Sequence, residues 1–145
     1  MNPRPFAWTV GALLILLGIA GFIPPLAPPE GDPLRIAAGV GGQQLLGLFP
    51  TSPVLSGLYV VLGAWGFWAG GRLVHAVRFA RLAGLIFLLL LVFGTIPGAD
   101  NLFGLAPLYG NNLLLHGILA VLLFLFGWLY RHPRLASAAE DEDDL

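Results

Sequence analysis

Residues 79–97 read "FARLAGLIFLLLLVFGTIP". Beyond Arg81 the stretch carries no charge, and it closes on Gly94, Thr95, Ile96 and Pro97. At 1.5 Å per residue it covers about 28 Å as a helix, close to the ~30 Å hydrocarbon core of a bilayer. Lipid offers the backbone no hydrogen-bond partner, so a spanning segment must be a helix or a barrel strand. The alternation of a barrel strand is missing, which leaves the helix.

Three further segments have the same character: "WTVGALLILLGIAGFIP" (8–24), "VLSGLYVVLGAWGFWAG" (54–70) and "NLLLHGILAVLLFLFGWLY" (112–130). The composition agrees, with 57% hydrophobic and 10% charged residues against roughly 45–50% and about 25% in a soluble domain. The expected fold is an all-α integral membrane protein. A four-transmembrane-helix bundle occupies residues 1–135, and a disordered acidic cytoplasmic tail occupies 136–145. The first segment is read as an uncleaved helix rather than a secretory signal, because "PPLAPPEGDP" (24–33) offers no small-residue cleavage pattern.

Charge placement gives an orientation. Arg4, the turn with Arg72, Arg78 and Arg81, and the end with Arg131 and Arg134 fall on one side, while loops 25–53 and 98–111 hold only Arg35. The positive-inside rule places both termini of a multi-pass membrane protein in the cytoplasm and those two loops outside. Trp8, Trp68, Trp128, Tyr109 and Tyr130 fall near the expected interfaces. Five of the eight acids are packed into "EDEDDL" (140–145). No basic surface argues for nucleic acid, and the absence of cysteine removes thiolate chemistry. Segment 34–49, moderately apolar and glycine-rich, either lies on the outer interface or re-enters the membrane as a partial helix.

The sequence also repeats itself. "GFIP" (21–24) matches "GTIP" (94–97), with Gly11 opposite Gly84 and Gly21 opposite Gly94, at an offset of 73. "LLGLFP" (45–50) matches "LFGLAP" (102–107) at an offset of 57. The unit is a helix, an outer loop with a GLxP turn, and a second helix, so the bundle is two tandem helical-hairpin repeats of like topology. Helices in lipid associate where small residues let backbones approach. Gly11, Gly18 and Gly21, then Gly63, Gly66 and Gly70, then Gly117 are the expected packing positions, either within one bundle or between copies in a homo-oligomer.

One polar cluster stands out. Asn112 and His116 are four apart and share a helix face, and Asn111 or Asn112 is placed to cap the helix start. The offset of 57 sets Tyr59 opposite His116, with Ser56 one turn before it. These five residues, Asn111, Asn112, His116, Ser56 and Tyr59, form the candidate outer-face site. They either tie the helix starts to the outer turns or receive a small solute, ion or lipid head group. His75 and His132 fall on the other membrane side, which argues against a metal or haem site at His116. No acid lies within a span, and no nucleophile–base pair is evident. No catalytic residue, cofactor or metal is therefore expected.

On "LLGLFPTSP" (45–53), "LFGLAPLYGNNLLLHG" (102–117) and the arginine-rich turn between the second and third segments, the chain resembles a family of small bacterial four-helix membrane proteins of unknown function. The resemblance extends to about residue 131 and implies a GLxP turn followed by a helix opening with Asn and His. His116 fits that pattern; Tyr59 and Ser56 depart from it in the first copy. The expected role is that of a non-enzymatic structural or accessory membrane component, in contact with membrane lipids and with a second copy or a membrane-protein partner. The alternative is a small channel or transporter entered at Asn112, His116 and Tyr59.

Overall fold

The computed structural model describes residues 3–27, 29–30 and 42–129. Arg35, Tyr130, Arg131, His132, Arg134 and the tail 136–145 lie outside the described residues. Helix α1 spans Pro3–Ala20, earlier at both ends than the apolar run 8–24. Pro3 and Pro5 fit its first turn, where backbone N–H groups have no helical acceptor to lose. Pro24 and Pro25 stop it, since their nitrogens carry no hydrogen to donate to the carbonyls of Ala20 and Gly21 four residues back.

Helix α2 spans Pro53–Ala69. Ser52 caps it by accepting the Leu55 N–H at 3.1 Å, and Pro53 occupies the first helical position, where its fixed φ is preorganised. Helix α3 spans Leu73–Thr95 and begins six residues before Phe79. Hydropathy marks where lipid begins, and the helix continues past it because Ala76 and Val77 are buried against the bundle. Helix α4 spans Asn111–Phe124 and continues as one π-helical turn, Leu125–Leu129.

The segment between α1 and α2 departs from the all-helical expectation. Strands β1 (Pro29–Glu30), β2 (Gly42–Leu45) and β3 (Phe49–Thr51) form a three-stranded antiparallel sheet in that order. Leu45 pairs with Phe49 and Gln43 with Thr51. Residues 42–49 of segment 34–49 are thus strand and turn rather than partial helix, and 34–41 fall outside the described residues. The cause is the GLxP turn itself. Leu46 and Gly47 take φ of 55° and 67°, a left-handed pair that reverses the chain and breaks any helix. At the matching sequence positions Phe103 and Gly104 take φ of 57° and 86°, and Leu102 before them is left-handed too, at 42°. The two matching stretches thus share a left-handed pair, set between strands in one and in a 3-10 turn in the other.

Helix α1 packs along α2 and α3 along α4, with further contacts of α3 to α1 and α2. Glycine makes the pairs close. A methyl on Gly11 would lie 2.5 Å from the Phe67 N and 2.7 Å from the Gly63 O, and one on Gly18 would lie 2.6 Å from the Ser56 O. Gly21 faces the Ser56 hydroxyl, Gly66 the Phe79 ring and Gly70 the Trp8 ring. Gly117 differs from the close approach expected of it, since a methyl there would meet Leu91 at an ordinary 3.8 Å.

These contacts recur at the two offsets. Gly11 against Phe67 becomes Gly84 against Phe124; Gly21 against Ser56 becomes Gly94 against Leu113; Gly70 against Trp8 becomes Gly127 against Arg81. Phe79 of the second hairpin meets Trp65 edge-on at 5.2 Å, and its counterpart Phe6 stacks on Phe126 of the other hairpin at 3.7 Å.

Leu14, Leu55, Leu62, Phe79, Phe87, Leu119 and Leu123 fill the centre. The outside is equally greasy: Leu16, Val61, Trp68 and Leu114 are about two-thirds exposed (66–67%). Such an exterior suits lipid rather than water. Pro3–Ala20, Leu73–Thr95 and Asn111–Trp128 are long and apolar enough to cross a membrane, while Pro53–Ala69 is apolar and shorter.

Candidate functional site

At the end of the bundle where the two GLxP turns meet, polar side chains reach from each hairpin to the other. Asn112 is buried one residue into α4. Its amide nitrogen donates to the carbonyl of Pro107 at 2.7 Å and to the carbonyl of Pro50. Those two prolines hold the same place in the two turns. One side chain thus uses both its donors to clasp matching carbonyls of the two GLxP turns. Asn111 donates to the Leu48 carbonyl at 2.7 Å. Ser52 answers from the first hairpin, donating to the Leu105 carbonyl at 2.9 Å, and Leu48 and Leu105 are again equivalent positions.

Neither asparagine caps α4, which corrects the expectation from their place in the sequence. Gly110 holds the cap position, with no side-chain hydrogen bond. The amides turn to the GLxP turns instead, because those turns present carbonyls with no helical partner and an amide N–H is the donor that satisfies them.

One turn deeper, Tyr59 and His116 meet. The Tyr59 hydroxyl lies 2.8 Å from His116 Nε2, both residues are buried, and the rings stand edge-on at 73°. Phe87 lies against both rings, at 6.3 Å from Tyr59 and 5.7 Å from His116. Tyr59 and His116 are equivalent under the offset of 57. The bond joins α2 of the first hairpin to α4 of the second. His116 Nδ1 is buried without a partner. If Tyr59 donates, Nδ1 carries an unused proton; if Nε2 donates, Nδ1 is an unused acceptor. Either tautomer leaves a cost of about 1–3 kcal/mol.

Ser56, the fifth expected residue, is buried and shares a 3.1 Å hydroxyl contact with Thr51. The structure therefore gathers all five at one end, in three groups: the asparagines on the turns, Tyr59 with His116, and Ser56 with Thr51. Thr51 and Ser52 join them without having been expected. Ser52 had a usable signal, a serine directly before a proline that opens an apolar run; Thr51 had none. Thr9 and Thr95 stay away from the cluster, bonding the carbonyls of Pro5 (2.8 Å) and Val92 (2.7 Å) in their own helices. Among the described residues no group of three or more His, Cys, Asp or Glu gathers to hold a metal.

Asn111, Asn112 and Ser52 donate to backbone carbonyls, and Leu62, Leu119 and Leu123, further along the helices, are buried. No curated protein and no solved structure matches the chain. A family described as Domain of unknown function (DUF4383) matches residues 4–129. With that much of its 145 residues covered, the chain belongs to the DUF4383 family.

Proposed function

We propose that the chain crosses the bacterial inner membrane four times, as two duplicated helical hairpins, and acts there as a non-enzymatic structural or accessory component. Its ends and the arginine-bearing turn between α2 and α3 face the cytoplasm, and the GLxP turns face outward. The duplication is supported by the matched left-handed turns and by glycine contacts that recur at fixed offsets.

The observation that carries the functional reading is the set of ties between the hairpins: Asn112 on both proline carbonyls, Asn111 and Ser52 crossing in opposite directions, and Tyr59 on His116. A channel entrance needs polar groups left open to solute and continued inward. Here Leu62 and Leu119 follow Tyr59 and His116 by one turn and are buried with Leu123 and Phe79. The ties hold the outer end shut and the hairpins in one register, a rigid platform for lipid, a second copy or a membrane-protein partner.

The test compares His116→Ala and Asn112→Ala with the unaltered chain in proteoliposomes. The reading expects no proton or solute flux from any of them and a lower unfolding temperature for both variants. Flux in the unaltered chain that His116→Ala abolishes, with the fold intact, would replace this reading with the channel.

A further inference from the structure

We propose that the outer surface of the second hairpin binds one anionic glycerophospholipid of the arginine-side leaflet, its acyl chain in a groove between α3 and α4 and its phosphate at Arg81. The groove has a volume of about 430 Å³ and is walled by Leu88, Leu91, Gly117, Val121, Phe124 and Leu125, among others, all apolar. Its floor is Gly117, where a methyl would find only the tip of Leu91 at 3.8 Å.

In the first hairpin the matching place is filled. There the pair is Gly18 with Val60, and Val60 fills the space, its Cγ2 2.6 Å from where a methyl on Gly18 would sit. In the second hairpin the large and small residues are exchanged, and the flexible Leu91 leaves the gap unfilled.

A cation stands at the end of this groove. Arg81 lies seven residues before Leu88 on the same stripe of α3, and Trp128 continues the α4 stripe of Gly117, Val121 and Phe124. Phe124 and Trp128 stack at 4.3 Å. The Arg81 guanidinium lies 5.6 Å from the Trp128 ring centre, and its Nε donates to the Gly127 carbonyl at 2.7 Å. Its partners among the described residues are thus a neutral carbonyl and a ring. Neither carries a full negative charge, and the planar guanidinium of an exposed arginine suits a phosphate.

The dimensions fit one leaflet. Arg81 sits just inside the apolar run that begins at Phe79, a depth from which its side chain snorkels to the head-group region. From Arg81 to Leu91 is about 15 Å along the helix, half the ~30 Å hydrocarbon core. A lipid anchored by its phosphate at Arg81 would lay its tail along the groove as far as Gly117.

The inference rests on the membrane-spanning reading, and the test keeps the two apart. The chain is extracted from membranes in detergent, incubated with phosphatidylglycerol, phosphatidylcholine or glycerol 3-phosphate, and weighed intact by native mass spectrometry. Phosphatidylglycerol should be retained about fivefold better than phosphatidylcholine. Arg81→Gln should erase that preference and Arg81→Lys should keep most of it. Gly117→Val, which copies the valine of the first hairpin, should lower retention of both lipids without altering the charge. The proposal fails if the preference survives Arg81→Gln, if Arg78→Gln weakens it equally, or if Gly117→Val retains lipid as before. Glycerol 3-phosphate binding with the same Arg81 dependence would make this a free-anion site and also overturn it. A chain that stays in solution without detergent would sink the spanning reading itself.

Discussion

Replacing Asn112 tests the tie that involves both hairpins at once. Asn112→Ala removes two side-chain hydrogen bonds, to the carbonyls of Pro50 and Pro107. Hydrogen bonds between transmembrane helices average about 0.6 kcal/mol and reach about 1.7, because the unfolded chain in lipid also finds partners. Two such bonds set the expected loss at about 1–3 kcal/mol. Asn112→Asp sharpens the test. It keeps the shape but puts a carboxylate oxygen where the amide nitrogen faced two carbonyl oxygens, exchanging attraction for repulsion. Asp should therefore destabilise more than Ala despite being the closer isostere. The assay is reversible unfolding in mixed detergent micelles, followed by circular dichroism. A loss under about 0.5 kcal/mol for Ala, or an Asp variant as stable as Asn, would refute the claim that this side chain joins the two turns.

Other consequences concern the glycines and the buried ring pair. Gly47→Ala and Gly104→Ala should each cost about 1–2 kcal/mol, because both positions have left-handed φ; equal unfolding midpoints for variant and parent would contradict the shared turn. Gly11→Leu should separate α1 from α2, since its Cβ alone would lie 2.5 Å from the Phe67 N; an unchanged melting temperature in detergent would refute the close seam. Tyr59→Phe and His116→Leu should be coupled. Each alone strands a buried polar group, whereas the double variant removes both, so a double-mutant cycle should show an interaction of about 0.5–1.5 kcal/mol. Strict additivity would mean that the 2.8 Å contact contributes nothing.

The helical segments were legible because lipid imposes a minimum apolar length, and a run such as 79–97 has few other readings. Their ends were less so. Hydropathy reports where lipid starts, while the ends of α1 and α3 are set by Pro24 and by the burial of Ala76 and Val77. The sheet in the first loop escaped because its strands are short, the central one carries Gln43 and Gln44, and the deciding fact, positive φ at Leu46, is a conformation that leucine rarely declares. The candidate cluster could be assembled from spacing and repeat offset alone, since Asn112, His116 and Tyr59 are fixed by helix periodicity. The use of the asparagines could not. A local rule favours capping, but their amides bond carbonyls 62 and 63 residues away, at Pro50 and Leu48, and only the folded hairpins bring those within reach.

The most direct test of the membrane account uses the chain's lack of cysteine. Single variants Leu46→Cys, Phe103→Cys and Gly71→Cys place one thiol each on the two GLxP turns and on the turn between α2 and α3. Intact cells with a permeabilised outer membrane are treated with a membrane-impermeant maleimide. The account predicts labelling at 46 and 103, and labelling at 71 only after the inner membrane is opened. Labelling of all three in intact cells, or of 71 alone, would contradict four crossings with the GLxP turns outside.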